Sequence, residues 1–105
     1  LPDGQTAIFS LTQEELKKFN YKKGDTEGFV NMPLSISGIR CSIFCREEND
    51  RIKISMRSVG DYSVSDLANK LFGGGGHKNA AGAESKLTMK ETIEKIVSEL
   101  ATPNS

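Results

Sequence analysis

The sequence predicts an α+β fold, a mixed β-sheet of four to five strands packed with three to four helices. Three observations carry this. Residues 39–46 and 51–57 alternate apolar and polar side chains, as two strands of a hairpin with one buried face do. Three segments open on Ser or Thr with an acid three residues later, then continue with apolar residues at helical spacing. Between the second of these and a short strand-like stretch lie Gly73, Gly74, Gly75 and Gly76, inside one folding unit rather than between two.

In chain order, residues 6–11 read as a strand. Thr12 and Glu15 then form a capping box, with Leu11 and Leu16 placed as its hydrophobic staple, and that helix ends near Asn20. A turn over residues 22–25 places Asp25 to cap a second short helix reaching about Met32, because Pro33 disfavours helical geometry at the residue before it. In the first hairpin strand Ile39, Cys41, Ile43 and Cys45 share the inner face, and Arg40, Ser42 and Arg46 the outer one. Phe44 interrupts that outer face and implies cover there. Glu47, Glu48, Asn49 and Asp50 make a polar turn. The partner strand sends Ile52, Ile54 and Met56 inward and Arg51, Lys53, Ser55 and Arg57 outward.

Ser63 and Asp66 cap the next helix, with Tyr62 and Leu67 as its staple. Its apolar stripe is Val64, Leu67, Ala68, Leu71 and Phe72. Residues 83–87 are short enough for a strand. Thr88 and Glu91 open a last helix with Met89, Ile93, Ile96, Val97 and Leu100 along one face, and Pro103 closes the domain.

The 105 residues form one domain, able to bury roughly two-thirds of its unfolded surface. Fourteen basic and fourteen acidic residues cancel, so any nucleic-acid contact must be local rather than a global attraction. No apolar run approaches a membrane span, and the opening residues 1–4 do not read as a signal peptide. A start on Leu-Pro without an initiator Met is expected of a piece of a longer protein. Cys41 and Cys45, four apart in one strand, lie about 13 Å apart, too far for a disulfide. Two core thiols of this kind fit a reducing, cytoplasmic compartment.

The glycine run continues as His77, Lys78, Asn79, Ala80, Ala81 and Gly82. It is not a P-loop, because Lys78 stands where the second glycine of that motif belongs, nor a dinucleotide fingerprint, because Asn79 stands in place of its third glycine. A helix C-terminus with a turn would explain one or two of the glycines. Four glycines followed by His-Lys-Asn fit an anion-binding loop, where backbone N–H groups converge with no Cβ in the way. Taken singly, His77 reads as a surface histidine, Arg57 as one more solvated charge beside Arg51 and Lys53, and Asp25 as a helix cap.

The order of two motifs adds to this. Ser55-Met56-Arg57-Ser58, then a helix, then Gly74-Gly75-Gly76-His77-Lys78-Asn79-Ala80-Ala81-Gly82 resembles the C-terminal domain of DHH-family phosphoesterases, in which a Ser-x-Arg-Ser strand end precedes Gly-Gly-Gly-His-x-x-Ala-Ala-Gly. Asp25-Thr26-Glu27-Gly28-Phe29-Val30-Asn31 resembles the branch that degrades short RNAs and 3′-phosphoadenosine 5′-phosphate.

The resemblance implies a two-domain hydrolase whose N-terminal domain, absent from this chain, binds two manganese ions through aspartates and histidines. With one histidine the present chain cannot hold an Asp-His-His motif. Residues 1–105 would then be a substrate-binding domain with neither catalytic groups nor metal ligands. By position, Arg57 would bind a phosphate, Gly74, Gly75 and Gly76 would offer N–H groups, and His77 would bond a phosphate or ribose. Ser58, Asn79 and Ala80 would line the pocket. The implied partners are short RNA or a nucleotide and the N-terminal domain, with room for a homodimer of the parent. Two alternatives stand beside this, a cyclic-dinucleotide phosphodiesterase of the same superfamily and the tRNA-binding C-terminal module of an alanyl-tRNA synthetase. The balanced charge fits the second poorly, and His77 with the Ser-x-Arg-Ser strand favours the phosphoesterase.

Overall fold

Local chemistry sets most of the elements. In the computed structural model, which describes residues 4–22, 25–36 and 38–101, strand β1 is Thr6–Leu11. Helix α1, Gln13–Lys18, follows at once. Its capping box closes as the sequence implies, with the Thr12 hydroxyl accepting from the Glu15 N–H at 3.2 Å and the Thr12 N–H donating to Glu15 Oε1 at 2.9 Å. Asn20 ends the segment at φ 55°, a left-handed position that asparagine tolerates.

Helix α2 is Thr26–Asn31, continued by a 3₁₀ turn at Met32–Ser35. One expectation fails here. Asp25 precedes α2 but its side chain caps nothing in it, because the carboxylate turns back to accept from the Lys22 N–H at 2.9 Å. The α-helix ends at Asn31, within a residue of the expected bound, and Pro33 falls in the first turn of the tighter helix that continues it, where no N–H is required of it.

Strands β2, Cys41–Glu48, and β3, Arg51–Ser58, form the expected hairpin, shifted at its ends. The pairing starts at Cys41 rather than Ile39 and takes in Glu47 and Glu48, so the turn is only Asn49 and Asp50. Asn49 lies at φ 49°, as such two-residue turns require. Helix α3, Val64–Phe72, is capped by the Ser63 hydroxyl, which accepts from the Asp66 N–H at 3.3 Å. Strands β4, Gly75–His77, and β5, Ala80–Ser85, come next, then helix α4, Met89–Ala101. β5 thus begins at Ala80, three residues before the expected start. The Thr88–Glu91 box opens α4, with both bonds from backbone N–H at 3.1 Å. Pro103, and Lys23 and Gly24 of the expected turn over residues 22–25, lie outside the described residues.

The five strands lie in the order β1-β2-β3-β5-β4, with β1 parallel to β2 and every other pair antiparallel. Mixed sheet and four helices agree with the α+β expectation. One face carries the core: Cys41, Ile43, Cys45, Ile52, Ile54 and Met56 against Val64, Leu67, Ala68 and Leu71 of α3 and Ile96 of α4. The cysteines form no disulfide, and burial pushes the Cys45 thiol up to about 12, which keeps it protonated and unreactive. Thr92 of α4, polar and not among the expected core residues, is fully buried and hydrogen-bonds the Ser85 hydroxyl at 2.7 Å, tying helix to sheet.

The opposite face is covered only in part. Phe44 is fully buried there, stacked on Phe9 at 4.7 Å between ring centroids and met by Phe29 at 5.8 Å and Tyr21 at 6.2 Å. The apolar interruption in the outer face of β2 is the seat of α2.

Candidate functional site

Residues paired across neighbouring strands point to the same face of a sheet. Arg57 pairs with Ser42 on one side and Ala80 on the other, and Ala80 pairs with His77. Arg57, Ala80 and His77 therefore form one lateral row on the face away from the core. The next row is Phe44, Ser55, Gly82 and Gly75, and the one after it Arg46, Lys53 and Glu84. Over β3, β5 and β4 this face has a floor of Ser55, Gly82, Gly75 and Ala80. A shallow recess of about 330 Å³ lies along it, lined by Arg46, Lys53, Ser55, Gly82 and Glu84 among others.

The glycine run is not an open cradle. Gly73, at φ 69°, closes α3 and donates its N–H to Asn69 O at 3.0 Å. A Cβ on Gly74 would run into the Gly82 carbonyl and lie 2.7 Å from Ala83 Cβ. One on Gly76, which sits at φ 149°, would lie 2.6 Å from Ala80 O. Gly75 differs from all three, because a Cβ there would meet nothing within 4 Å and its backbone is not left-handed. Three of the four glycines are required by the fold, and Gly75 only keeps the open face low. Since β4 is the sheet's outer strand, its outward backbone groups have no strand partner.

Arg57 is not a solvated charge. Its side chain is 17 % exposed, and Nη1 donates to Met56 O at 2.8 Å and Ala81 O at 3.4 Å. Nε donates to Glu27 Oε1 at 3.1 Å, and Nη2 bonds the same oxygen. The other Glu27 oxygen accepts from Asn31 Nδ2 at 2.8 Å. The hydrogen bonds from Arg57 and then Asn31 hold the Glu27 carboxyl below its ordinary 4.5.

Ser58, the next residue of β3, faces the core side and is 6 % exposed. Its hydroxyl donates to Tyr62 O at 2.6 Å and accepts from Asn79 Nδ2 at 2.9 Å, while the same Asn79 amide reaches Gly60 O at 3.1 Å. Ser58 and Asn79 thus clasp the end of β3 to the β4–β5 turn. The Lys78 carbonyl accepts from the Val64 N–H at 2.8 Å, and its ammonium pairs with Asp61 at 3.0 Å. His77 is exposed, and its backbone pairs with Ala80 across β4 and β5.

Of the eight residues singled out from sequence, Arg57, Gly75, His77 and Ala80 meet on or beside the open face, whereas Ser58, Gly74, Gly76 and Asn79 build the frame behind it. Sequence reasoning did not single out Glu27, Ser55, Gly82 or Glu84. The signal for Ser55 was present, since alternation alone puts it on the Arg57 face. Glu84 bonds both Lys53 and Arg51, which holds its carboxyl below the ordinary value, and Asp50 and Glu48 pair with Arg51 and Arg46, so the apparent basic row at the recess is neutralised. Among the described residues no three His, Cys, Asp or Glu side chains gather as a metal site, so these residues do not fit a manganese centre.

A family model described as the DHHA1 domain matches residues 4–102. Two curated proteins called bifunctional oligoribonuclease and PAP phosphatase NrnA are similar. The one from Thermus thermophilus is 38% identical over 74 residues, covering 70% of this chain and 22% of that protein. The one from Bacillus subtilis is 32% identical over 100 residues, covering 95% and 30%. The crystal structure of an exopolyphosphatase-related protein from Bacteroides fragilis superposes with a TM-score of 0.88 at 49% identity, over 95% of this chain and 29% of that one. The chain therefore spans less than a third of the length of these relatives.

Proposed function

The chain belongs to the DHHA1 domain family, and from that premise we propose that it is the substrate-binding domain of a phosphoesterase acting on short oligoribonucleotides and 3′-phosphoadenosine 5′-phosphate. The observation that carries the reading is the row of Arg57, Ala80 and His77, with Gly75 bare beside it. A guanidinium fork matches two phosphate oxygens, and an imidazole 20 residues further on in sequence supplies a second donor on the same surface. The floor of small side chains lets a flat nucleotide approach the backbone. The names of the curated relatives support the choice of substrate.

In this reading the chain binds, orients and neutralises charge, which are contributions to phosphoryl transfer that need no reacting group of its own. The metal ions, manganese by the family resemblance, and the activated water belong to the part of the parent outside these residues. The parent acts in the cytoplasm. Among the described residues no helix is long and apolar enough to cross a membrane.

Titrating the chain with a short ribonucleotide and following backbone amide shifts by NMR tests this. Shifts should concentrate at Arg57, at residues 74–80 and at Gly82, with affinity near the millimolar range, about −4 kcal/mol, because one wall of the natural cleft is missing. A response centred on Arg51 and Lys53 would place the site elsewhere. The chain alone, supplied with manganese, should not hydrolyse a dinucleotide, and measurable turnover would overturn the assignment of its role.

A further inference from the structure

The guanidinium of Arg57 has five N–H groups and two edges. One edge is held by the chain itself, because Nη1 bonds the Met56 and Ala81 carbonyls at 2.8 and 3.4 Å. Those bonds fix the plane of the group without outside help. The other edge, Nε with Nη2, is the fork that would take phosphate oxygens, and Glu27 of α2 occupies it. Glu27 is itself steadied by Asn31 at 2.8 Å, yet its side chain is 65 % exposed and can turn into solvent without disturbing the core.

Resting on the reading of Arg57 as a phosphate ligand, we infer that Glu27 is an internal competitor, a carboxylate seated where the substrate phosphate binds and displaced when it does. A residue that merely oriented Arg57 would be redundant with the two carbonyls. The competitor sets a threshold instead. A single phosphate gains the fork only by giving Glu27 back to water, so it is held weakly. A ligand with further contacts along the Ser55–Gly82 floor or in the rest of the parent overcomes the same cost. The device would favour substrates that carry more than one phosphate and speed the departure of a mononucleotide product with only one.

The test compares the dissociation constants of adenosine 5′-monophosphate and of adenosine for this chain and for its Glu27→Gln and Glu27→Ala forms. An exposed or half-exposed ion pair is weak, so losing the competitor should tighten the monophosphate roughly two- to fivefold and leave adenosine unchanged. Glu27 is mostly exposed on a short helix, so neither substitution endangers the fold. Equal or weaker monophosphate binding in both variants overturns the inference, as does an equal gain for adenosine. Arg57→Lys, measured alongside, separates the two levels. If it weakens the monophosphate while the Glu27 variants do nothing, the phosphate-binding role of Arg57 stands and only the competitor falls. If it too changes nothing, both fail.

Discussion

Over β1 and β2 the face away from the core is filled: Phe9 stacks on Phe44, and Phe29 and Tyr21 close over them from α2 and the segment before it. Over β3, β5 and β4 the same face of the same sheet carries Ser55, Gly82, Gly75 and Ala80, with none of the described residues within 4 Å of where a Cβ on Gly75 would stand. Pleat and register are continuous across the boundary, and what changes is side-chain volume. One half buries aromatic area and supplies stability. The other gives up that gain and leaves a shelf edged by Arg57 and His77. Large residues on one half and small ones on the other let a single sheet serve as core wall and as ligand floor.

Substitutions can break or sharpen that contrast. The largest effect should come from the filled half. Phe44→Ala removes a ring at zero exposure and should cost about 3–5 kcal/mol, lowering the melting temperature by well over 10 °C in a domain of this size. A loss below about 1 kcal/mol would mean that the aromatic cluster is ornamental. Gly76→Ala and Gly75→Ala come next as a pair. The first drives a methyl against the Ala80 carbonyl from a strained backbone and should cost about 1–3 kcal/mol. The second should leave stability within about 0.5 kcal/mol while weakening nucleotide binding. If both melt alike, the distinction between framing and floor glycines is wrong.

Arg57→Lys in the full parent enzyme should lower kcat/KM roughly ten- to a hundredfold, the worth of a charge-assisted hydrogen bond of about 1.5–3 kcal/mol. Lys53→Ala, on the same strand face but with its charge already answered by Glu84, should change activity little. Equal losses would point to a general basic surface. The smallest effect should be in the acid limb of stability. Glu27 and Glu84 both lie below their ordinary 4.5 when folded, so on acidification the unfolded chain takes up the proton first. Melting temperature should therefore hold above about pH 5 and fall as pH drops through 4.5 and below. Glu27→Gln should shallow that fall, and an unchanged profile would remove Glu27 as a contributor.

Much of this was legible in the sequence because it is local. The boxes at Thr12–Glu15 and Thr88–Glu91, the Ser63 cap and the β2–β3 alternation are each decided within a few residues. The break in alternation at Phe44 announced cover. What was not legible depends on strand order. Nothing near Gly74 or Gly76 in sequence shows that the Gly82 carbonyl or the Ala80 carbonyl will crowd them, so composition alone suggested an open loop. The Arg57–Glu27 pair joins residues 30 apart, through a helix whose placement the sequence does not state. Thr92 was passed over because its polarity argues against burial until Ser85 is found to answer it. The assignment of Ser58 to the pocket could have been avoided, since neighbours in a strand face opposite ways and Ser58 cannot share the side of Arg57.

The clasp at the foot of the site has a kinetic meaning. The Ser58 N–H is held by Asn79 O at 3.1 Å and the Val64 N–H by Lys78 O at 2.8 Å, so the turn after His77 is bonded both to β3 and to the first residue of α3. The Ser58 and Val64 amides, which donate into that turn, should exchange with deuterium only when it opens, so slow exchange at both would report a turn held in place. A ligand arriving at His77 would then meet a surface already in place, and its rate of entry would be set by encounter rather than by waiting for the turn to form.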